Sequence, residues 1–197
     1  MEPFRLIIND LSKSYGELTV FRGLEFVLES GKTYCLMGPS GCGKTTLFRV
    51  LLGLEPSDGG SVRLEPDASL PLVAVFQEDR LCEDFSPLDN VLLAVRDSLS
   101  WETVYRELCR LLPEESILRP SATLSGGMKR RVAILRALLA PSCGILMDEP
   151  FSGLDEDTKS TVISYIKEKT AGKLLLITTH QEEDIPALGG ELLQLPF

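Results

Sequence analysis

Apolar residues fall along the chain in short runs divided by Gly, Pro and acidic residues, and their spacing alternates between the strand and the helix period. Phe4 to Leu11 and Val20 to Leu28 are rich in apolar and β-branched residues. The polar stretch around Tyr15 and Gly16 separates them, which predicts a pair of antiparallel strands. Thr33 to Met37 predicts a short buried strand that runs into a Gly-rich loop, and Lys44 to Leu52 then takes helical spacing. Leu72 to Phe76, Ile145 to Met147 and Leu174 to Thr178 predict further short strands. Val104 to Leu112 and Met128 to Ala140 carry apolar residues at helical spacing.

Strands that alternate with helices predict an α/β core with a mainly parallel sheet, and the two early strands predict an antiparallel β flank. Glu78 to Thr123 breaks the alternation: Pro87, Pro113 and Pro120 punctuate helical patches, and no buried strand stands out. The expected organisation is one domain over 1–197, with a small helical lobe over 78–123 that continues into a helix over 125–140. No internal repeat or low-complexity segment interrupts it.

Composition narrows the classes. At 197 residues the chain can bury roughly 70% of its unfolded surface, and its 44% hydrophobic and 25% charged residues are those of a packed globular protein. No apolar run approaches the roughly 18 residues that span a bilayer, since even Val132 to Ala140 is broken by Arg136. Met1 to Asp10 carries Glu2 and Asp10 and lacks the apolar stretch of a secretory signal, so a cytoplasmic chain is expected. Cys35, Cys42, Cys82, Cys109 and Cys143 form no CxxC pair, which argues for reduced, mostly buried thiols. A net charge of −9 repels nucleic acid phosphates and anionic headgroups, so no nucleic acid partner is expected.

Three segments carry chemistry. Gly38-Pro39-Ser40-Gly41-Cys42-Gly43-Lys44-Thr45 satisfies G-x-x-x-x-G-K-[ST] between a predicted strand and a predicted helix. Glycines let backbone N–H groups turn towards phosphate oxygens and the helix N-terminus adds its dipole. Lys44 reaches the β and γ phosphates, and Thr45 suits Mg²⁺. Cys143 to Pro150 is an apolar strand that ends in two carboxylates. Asp148 suits Mg²⁺ or its waters and Glu149 suits polarising an attacking water, although Asp-Glu-Pro alone is also an ordinary strand-end turn. Leu124-Ser125-Gly126-Gly127-Met128 opens a predicted helix, as a second phosphate-binding device or as a plain helix cap.

Phosphate loop, LSGG, Asp148-Glu149-Pro150, Ser152-Gly153-Leu154-Asp155 and the single histidine His180 occur in an order that resembles the ABC (ATP-binding cassette) ATPases over nearly the whole chain. Phe76-Gln77-Glu78-Asp79-Arg80-Leu81, Leu88-Asp89-Asn90-Val91 and the LSGGMKRR run are similar to importer ATPases of the nitrate, sulfonate and taurine group. The resemblance implies a P-loop NTPase core, hydrolysis of ATP with Mg²⁺, and a head-to-tail dimer, expected to be a homodimer. It also implies transmembrane permease subunits that hold the ATPase at the inner face of the cell membrane.

By the same resemblance Thr46 joins the nucleotide-binding loop, Tyr15 stacks on adenine, and Gln77 senses Mg²⁺ and the water. Ser125, Gly126 and Gly127 meet the γ-phosphate of the facing subunit, Asp155 lies at the dimer seam, and His180 contacts the γ-phosphate. From the residues alone, Tyr15 could equally cover a strand and Gln77 could simply end one. Met128 and Arg130 stand where the family most often has glutamine, and Cys82-Glu83-Asp84-Phe85 lacks a tryptophan often found there. The end of the chain at Phe197 is expected to leave no room for a C-terminal regulatory domain.

Overall fold

The computed structural model describes residues 2–67, 70–95 and 98–195. Expectations attached to Met1 and to Phe197 lie outside them. The chain forms two compact units, one of Met1–Ala74, Ser142–Glu149 and Thr170–Phe197, the other of Val75–Pro141 and Pro150–Lys169.

The first unit is built on two sheets. The antiparallel flank has three strands in the order β2-β1-β4: β1 (Arg5–Tyr15), β2 (Leu18–Glu29) and β4 (Gly59–Glu65). Alternation in β1 buries Leu6 and Ile8, slips by one position, and resumes at Leu11 and Lys13. The slip is a bulge shared with both neighbours, because Ile8 pairs with Phe26 and Leu11 with Leu24, while Asn9 pairs with Ser61 and Ser12 with Gly59. Asp10 takes a positive φ of 49° there, and a Cβ on Gly60 would lie 2.3 Å from the Asp10 carbonyl oxygen. Only glycine lets β4 approach the bulge. The sequence pattern predicts β1 and β2 but not β4, whose opening Gly59-Gly60 reads as a turn.

The second sheet runs β5-β6-β7-β3-β8, with β3 (Thr33–Met37), β5 (Leu72–Val75), β6 (Gly144–Asp148), β7 (Leu174–Thr178) and β8 (Glu191–Gln194). The β3/β7, β3/β8 and β6/β7 pairings are parallel, as the α/β expectation requires. Every residue of β6 and β7 is buried, which explains their unbroken aliphatic sequences: a parallel strand covered on both faces has no polar side. Helix α1 (Lys44–Leu51) buries Leu47, Phe48, Val50 and Leu51 into the same core as Leu36, Leu146 and Leu176. A short helix α6 (Asp184–Leu188) precedes β8.

The second unit is helical. It contains α2 (Pro87–Val95), α3 (Trp101–Cys109), single 3₁₀ turns at Glu114–Ser116 and Ser121–Thr123, α4 (Gly126–Leu139) and α5 (Glu156–Lys169). The Ser100 hydroxyl accepts from the Thr103 N–H at 3.3 Å and starts α3 three residues before the apolar spacing does. Leu88, Val91, Val95, Val104, Leu108, Ile117, Val132, Ile134 and Leu135 are buried. Helix α5 is tied to α3 by polar contacts: the Glu107 carboxylate accepts from Tyr165 and from Lys169, each at 2.7 Å, and Arg110 forks onto Glu168 at 2.9 and 2.6 Å. Its sequence, crowded with charged and β-branched residues, hides the buried face made by Val162, Ile163 and Ile166.

Two expectations are corrected. Cys82 and Cys109 are exposed and Cys42 partly so, so the mostly buried thiols reduce to Cys35 and Cys143. Those two lie in or beside strands of the parallel sheet, whereas Cys82 lies in a turn and Cys109 ends a surface helix. Burial pushes the Cys35 thiol up to about 11. The helix expected over Val104 to Leu112 ends at Cys109. Among the described residues no helix is long and apolar enough to cross a membrane.

Asn90 holds the second unit's entry turn. It is 1% exposed; its Oδ1 accepts from the Cys82 N–H at 2.8 Å, and its Nδ2 lies 3.0 Å from the Cys82 and Ser86 carbonyls and 3.1 Å from Ser121 Oγ. Asn90→Ala leaves these groups without their partner and is expected to cost about 2–3 kcal/mol, read as a lowered urea midpoint. An unchanged midpoint would show that the turn does not need the amide.

Candidate functional site

In the first unit the parallel strands deliver their carboxyl ends to one edge, the place where open α/β sheets carry ligands. Strand β3 ends at Met37, and residues 38–43 turn into α1 through Gly43, whose φ is 100°. A Cβ at Gly43 would lie 2.5 Å from Val20 Cγ1, so backbone conformation and space both call for glycine. Lys44 is 6% exposed and curls back over its own loop, its ammonium donating to the Gly38 carbonyl at 2.7 Å and to the Pro39 carbonyl at 3.0 Å. The loop is thus folded around the positive charge, which is held by two neutral carbonyls, and an ionised oxygen is the stronger acceptor for such an ammonium.

Asp148, at the end of β6, is paired in register with Thr178 at the end of β7. Its carboxylate is 2% exposed and takes one hydroxyl on each oxygen: Thr178 Oγ1 donates to Oδ1 at 2.6 Å and Thr45 Oγ1 to Oδ2 at 2.5 Å. Thr178 Oγ1 also accepts from the Glu149 N–H at 2.8 Å. That bond holds Glu149 in the left-handed region at φ 48°, a costly conformation for a residue with a Cβ, and one found where side chains are held for function. The Glu149 Oε1 lies 2.7 Å from His180 Nε2. The turn that carries His180 is anchored by a hydrogen bond from the Thr179 hydroxyl to the buried Asp184 and by the Gln181 N–H donating to Thr179 Oγ1 at 3.1 Å.

Lys44, Thr45, Asp148, Glu149 and His180 are therefore brought together at one sheet edge. Tyr15 ends β1 with 46% of its surface exposed; its hydroxyl donates to the Glu55 carboxylate, with Thr46 of α1 within reach of the same oxygen. Lys13 stands 5.1 Å from the ring centre and also donates to the Pro56 carbonyl at 2.9 Å.

The remaining expected residues belong to the second unit. Ser125 is the N-cap of α4, its Oγ accepting from the Met128 N–H at 3.3 Å. A Cβ on Gly127 would lie 3.4 Å from Leu154 Cδ2, so the Ser125–Gly127 turn packs against the stretch before α5. Asp155 caps α5 through the Thr158 N–H at 2.9 Å and the Thr158 hydroxyl at 2.8 Å, and these bonds hold its carboxyl below its usual value. Gln77 follows β5, is exposed, and offers its carbonyl to Arg130.

Sequence reasoning passes over Thr178 and Glu55, and it marks Arg130 only as a departure from the family's glutamine, not as a partner of the Gln77 backbone. The signal for Thr178 is a hydroxyl that closes an otherwise aliphatic strand, Leu174 to Ile177. Among the described residues no group of three or more His, Cys, Asp and Glu could hold a metal ion. The Thr45 and Asp148 oxygens instead form a small, hard donor pair, which fits Mg²⁺ when phosphates and waters complete its shell.

The family model described as ABC transporter matches residues 21–152. A Nod factor export ATP-binding protein I from Paraburkholderia xenovorans is 38% identical over 192 residues, covering 90% of this chain and 63% of the relative. An aliphatic sulfonates import ATP-binding protein from Corynebacterium glutamicum is 36% identical over 197 residues, covering 95% of this chain and 79% of the relative. The chain thus spans less than two thirds of the length of the Nod factor export protein. Among solved structures, the dimeric form of a bacterial ABC transporter cassette superposes with a TM-score of 0.82 at 25% identity, over 96% of this chain and 94% of that one.

Thr178→Val keeps the shape of the side chain and removes the hydroxyl shared by Asp148 and Glu149. It is expected to cost roughly 2–3 kcal/mol by urea unfolding, because a buried carboxylate oxygen and an N–H both lose their partner, and Thr178→Ser is expected to recover most of it. Equal stability of Thr178→Val and the parent would contradict the shared bond.

Proposed function

Because the chain belongs to the ABC transporter family, we propose that it binds Mg·ATP and hydrolyses it as one of two head-to-tail ATPase subunits that drive membrane permease subunits. The observation that carries this reading is the pairing of Glu149 with His180 at 2.7 Å, beside the Asp148–Thr45 pair and on the sheet edge that bears the phosphate loop.

The loop amides and the α1 N-terminus receive the phosphates, and Lys44 shifts from the Gly38 and Pro39 carbonyls to phosphate oxygens. Mg²⁺, when bound with the nucleotide, neutralises phosphate charge, and Thr45 and Asp148 would hold it directly or through water. Glu149 orients the attacking water and takes its proton, while His180 fixes the carboxylate and reaches the γ-phosphate. Tyr15 stacks on adenine. Gln77 reads the Mg²⁺ and water, and Ser125, Gly126 and Gly127 of each subunit close on the nucleotide of the other. Asp155 caps α5 and, in the same reading, faces the dimer seam.

The second unit carries a groove of about 440 Å³ lined by Asp84, Phe85, Asp89, Leu92 and Leu93. Phe85 and Leu93 are 45% and 59% exposed in it, an apolar floor with an acidic rim that suits a permease segment of apolar and basic character. Such docking places the chain at the cytoplasmic face of the membrane. The net charge of −9 weighs against nucleic acid and against a soluble remodelling role. Import is the proposed direction, on the similarity of Phe76–Leu81 and Leu88–Val91 to sulfonate-type importers. Export is the second reading, carried by the Nod factor relative, and directional solute flux in vesicles reconstituted with the co-purified membrane subunits decides between them.

Glu149→Gln is expected to retain ATP binding, to slow hydrolysis by about 10²–10⁴-fold, and to double the light-scattering mass on addition of Mg·ATP. Hydrolysis at the parent rate would remove Glu149 from the base role, and a monomeric mass with bound nucleotide would contradict the head-to-tail closure.

A further inference from the structure

Helix α4 reaches the segment after β5 with two arginines. Arg130 Nη1 donates to the Phe76 carbonyl at 2.7 Å, its Nη2 donates to the Gln77 carbonyl, and its Nε lies 3.2 Å from Asp79 Oδ1. Further along the same helix, Arg136 Nη1 donates to the Arg80 carbonyl at 2.8 Å and Nη2 to the Asp79 carbonyl at 3.0 Å. The carbonyls of Phe76, Gln77, Asp79 and Arg80 are all taken up by side chains of α4. Residues 76–80 belong to no helix or strand, so the arginines rather than a backbone ladder define their path.

The segment is also under local constraint. Arg80 takes a positive φ of 47°, and its guanidinium lies 4.5 Å from the centre of the Phe76 ring. The Arg130 side chain is 8% exposed. A buried guanidinium is tolerated only when its donors are met, and here each of its nitrogens faces an oxygen of this one segment. A lysine offers one point charge in place of the planar fork and cannot reach the same oxygens together. Arg130, which departs from the glutamine most often found there, is thus committed within its own subunit.

We propose that Arg130, supported by Arg136, is a positioning residue that fixes the Gln77 backbone to α4, so that Gln77 and the Ser125–Gly127 turn at the start of that helix move as one body. The clamp rests on this structure, and its consequence for turnover rests on the ATPase reading above. Ser125 caps the helix that carries Arg130, so a displacement of the turn by bound nucleotide travels along a continuous hydrogen-bonded helix to the guanidinium and from there to the Gln77 carbonyl. A Gln77 freed from the clamp would sample many orientations, and a misplaced polar group lowers the rate of the chemical step more than it weakens binding.

Tryptic cleavage after Arg80 reads the clamp without nucleotide, and a double-mutant cycle with Gln77 reads its consequence. In Arg130→Met cleavage at that bond is expected to quicken roughly tenfold or more. The same variant is expected to lower kcat about tenfold with KM for ATP within about twofold. In a Gln77→Ala background Arg130→Met should cost less than about a further twofold, because the group it positions is already gone. Arg130→Lys, which keeps the charge, is expected to fall between Met and the parent in both readouts and serves if Arg130→Met folds poorly. Cleavage at the parent rate would overturn the clamp whatever the kinetics show, and fully additive losses in the double variant would overturn the link to Gln77. Absence of turnover in the parent protein would count instead against the ATPase reading, since cleavage needs no ATP.

Discussion

The Asp148 carboxylate is the constraint on which the site depends. A charge 2% exposed survives in a protein interior only if each oxygen is met, and here the two partners come from different elements. Thr178 reaches it from the neighbouring strand and Thr45 from the helix that opens at the phosphate loop. One acid therefore sets three relations at once: the register between β6 and β7 at their carboxyl ends, the seat of α1, and, through Thr178, the backbone of Glu149. The strain at Glu149 is held by the same hydroxyl that satisfies the acid, so the proposed base is aimed at His180 by the fold itself.

Much of this was legible in the sequence because it is local. A Gly-rich turn between a strand and a helix, two acids closing an aliphatic strand, and a Ser-Gly-Gly helix start are each written in contiguous residues. The parallel core was legible for a similar reason, since Leu174 to Thr178 and Ile145 to Met147 show the unbroken apolar runs of doubly covered strands. What stayed hidden was relational. Thr178 gains its meaning from Asp148, far away in sequence. The strand Gly59–Glu65 was hidden because the glycine that lets it approach the β1 bulge is the residue type that normally marks a turn. Helix Glu156–Lys169 escaped because its buried face of Val162, Ile163 and Ile166 is β-branched and set among charged residues, and because Tyr165, Lys169 and Glu168 meet Glu107 and Arg110, contacts no propensity records.

Arg130 shows the other side of that limit. Against the family pattern it looks like a departure bearing on the subunit interface, whereas the structure places its guanidinium on the backbone of residues 76 and 77. Within the second unit the helix that starts at Ser125 thus carries both a proposed phosphate contact and the anchor of Gln77. In the first unit the phosphate loop, the acid and the base share one sheet edge. Each unit is internally braced around the residues to which the proposed function gives a role.

If the Thr45–Asp148 oxygen pair seats Mg²⁺ as proposed, nucleotide binding depends on the metal. Calorimetric titration of ATP with and without Mg²⁺, on the parent protein and on Asp148→Asn, tests it most directly. Tighter binding with Mg²⁺ is expected in the parent, and loss of that increment in Asp148→Asn, with metal-free binding little changed. An equal Mg²⁺ effect in both proteins would contradict it.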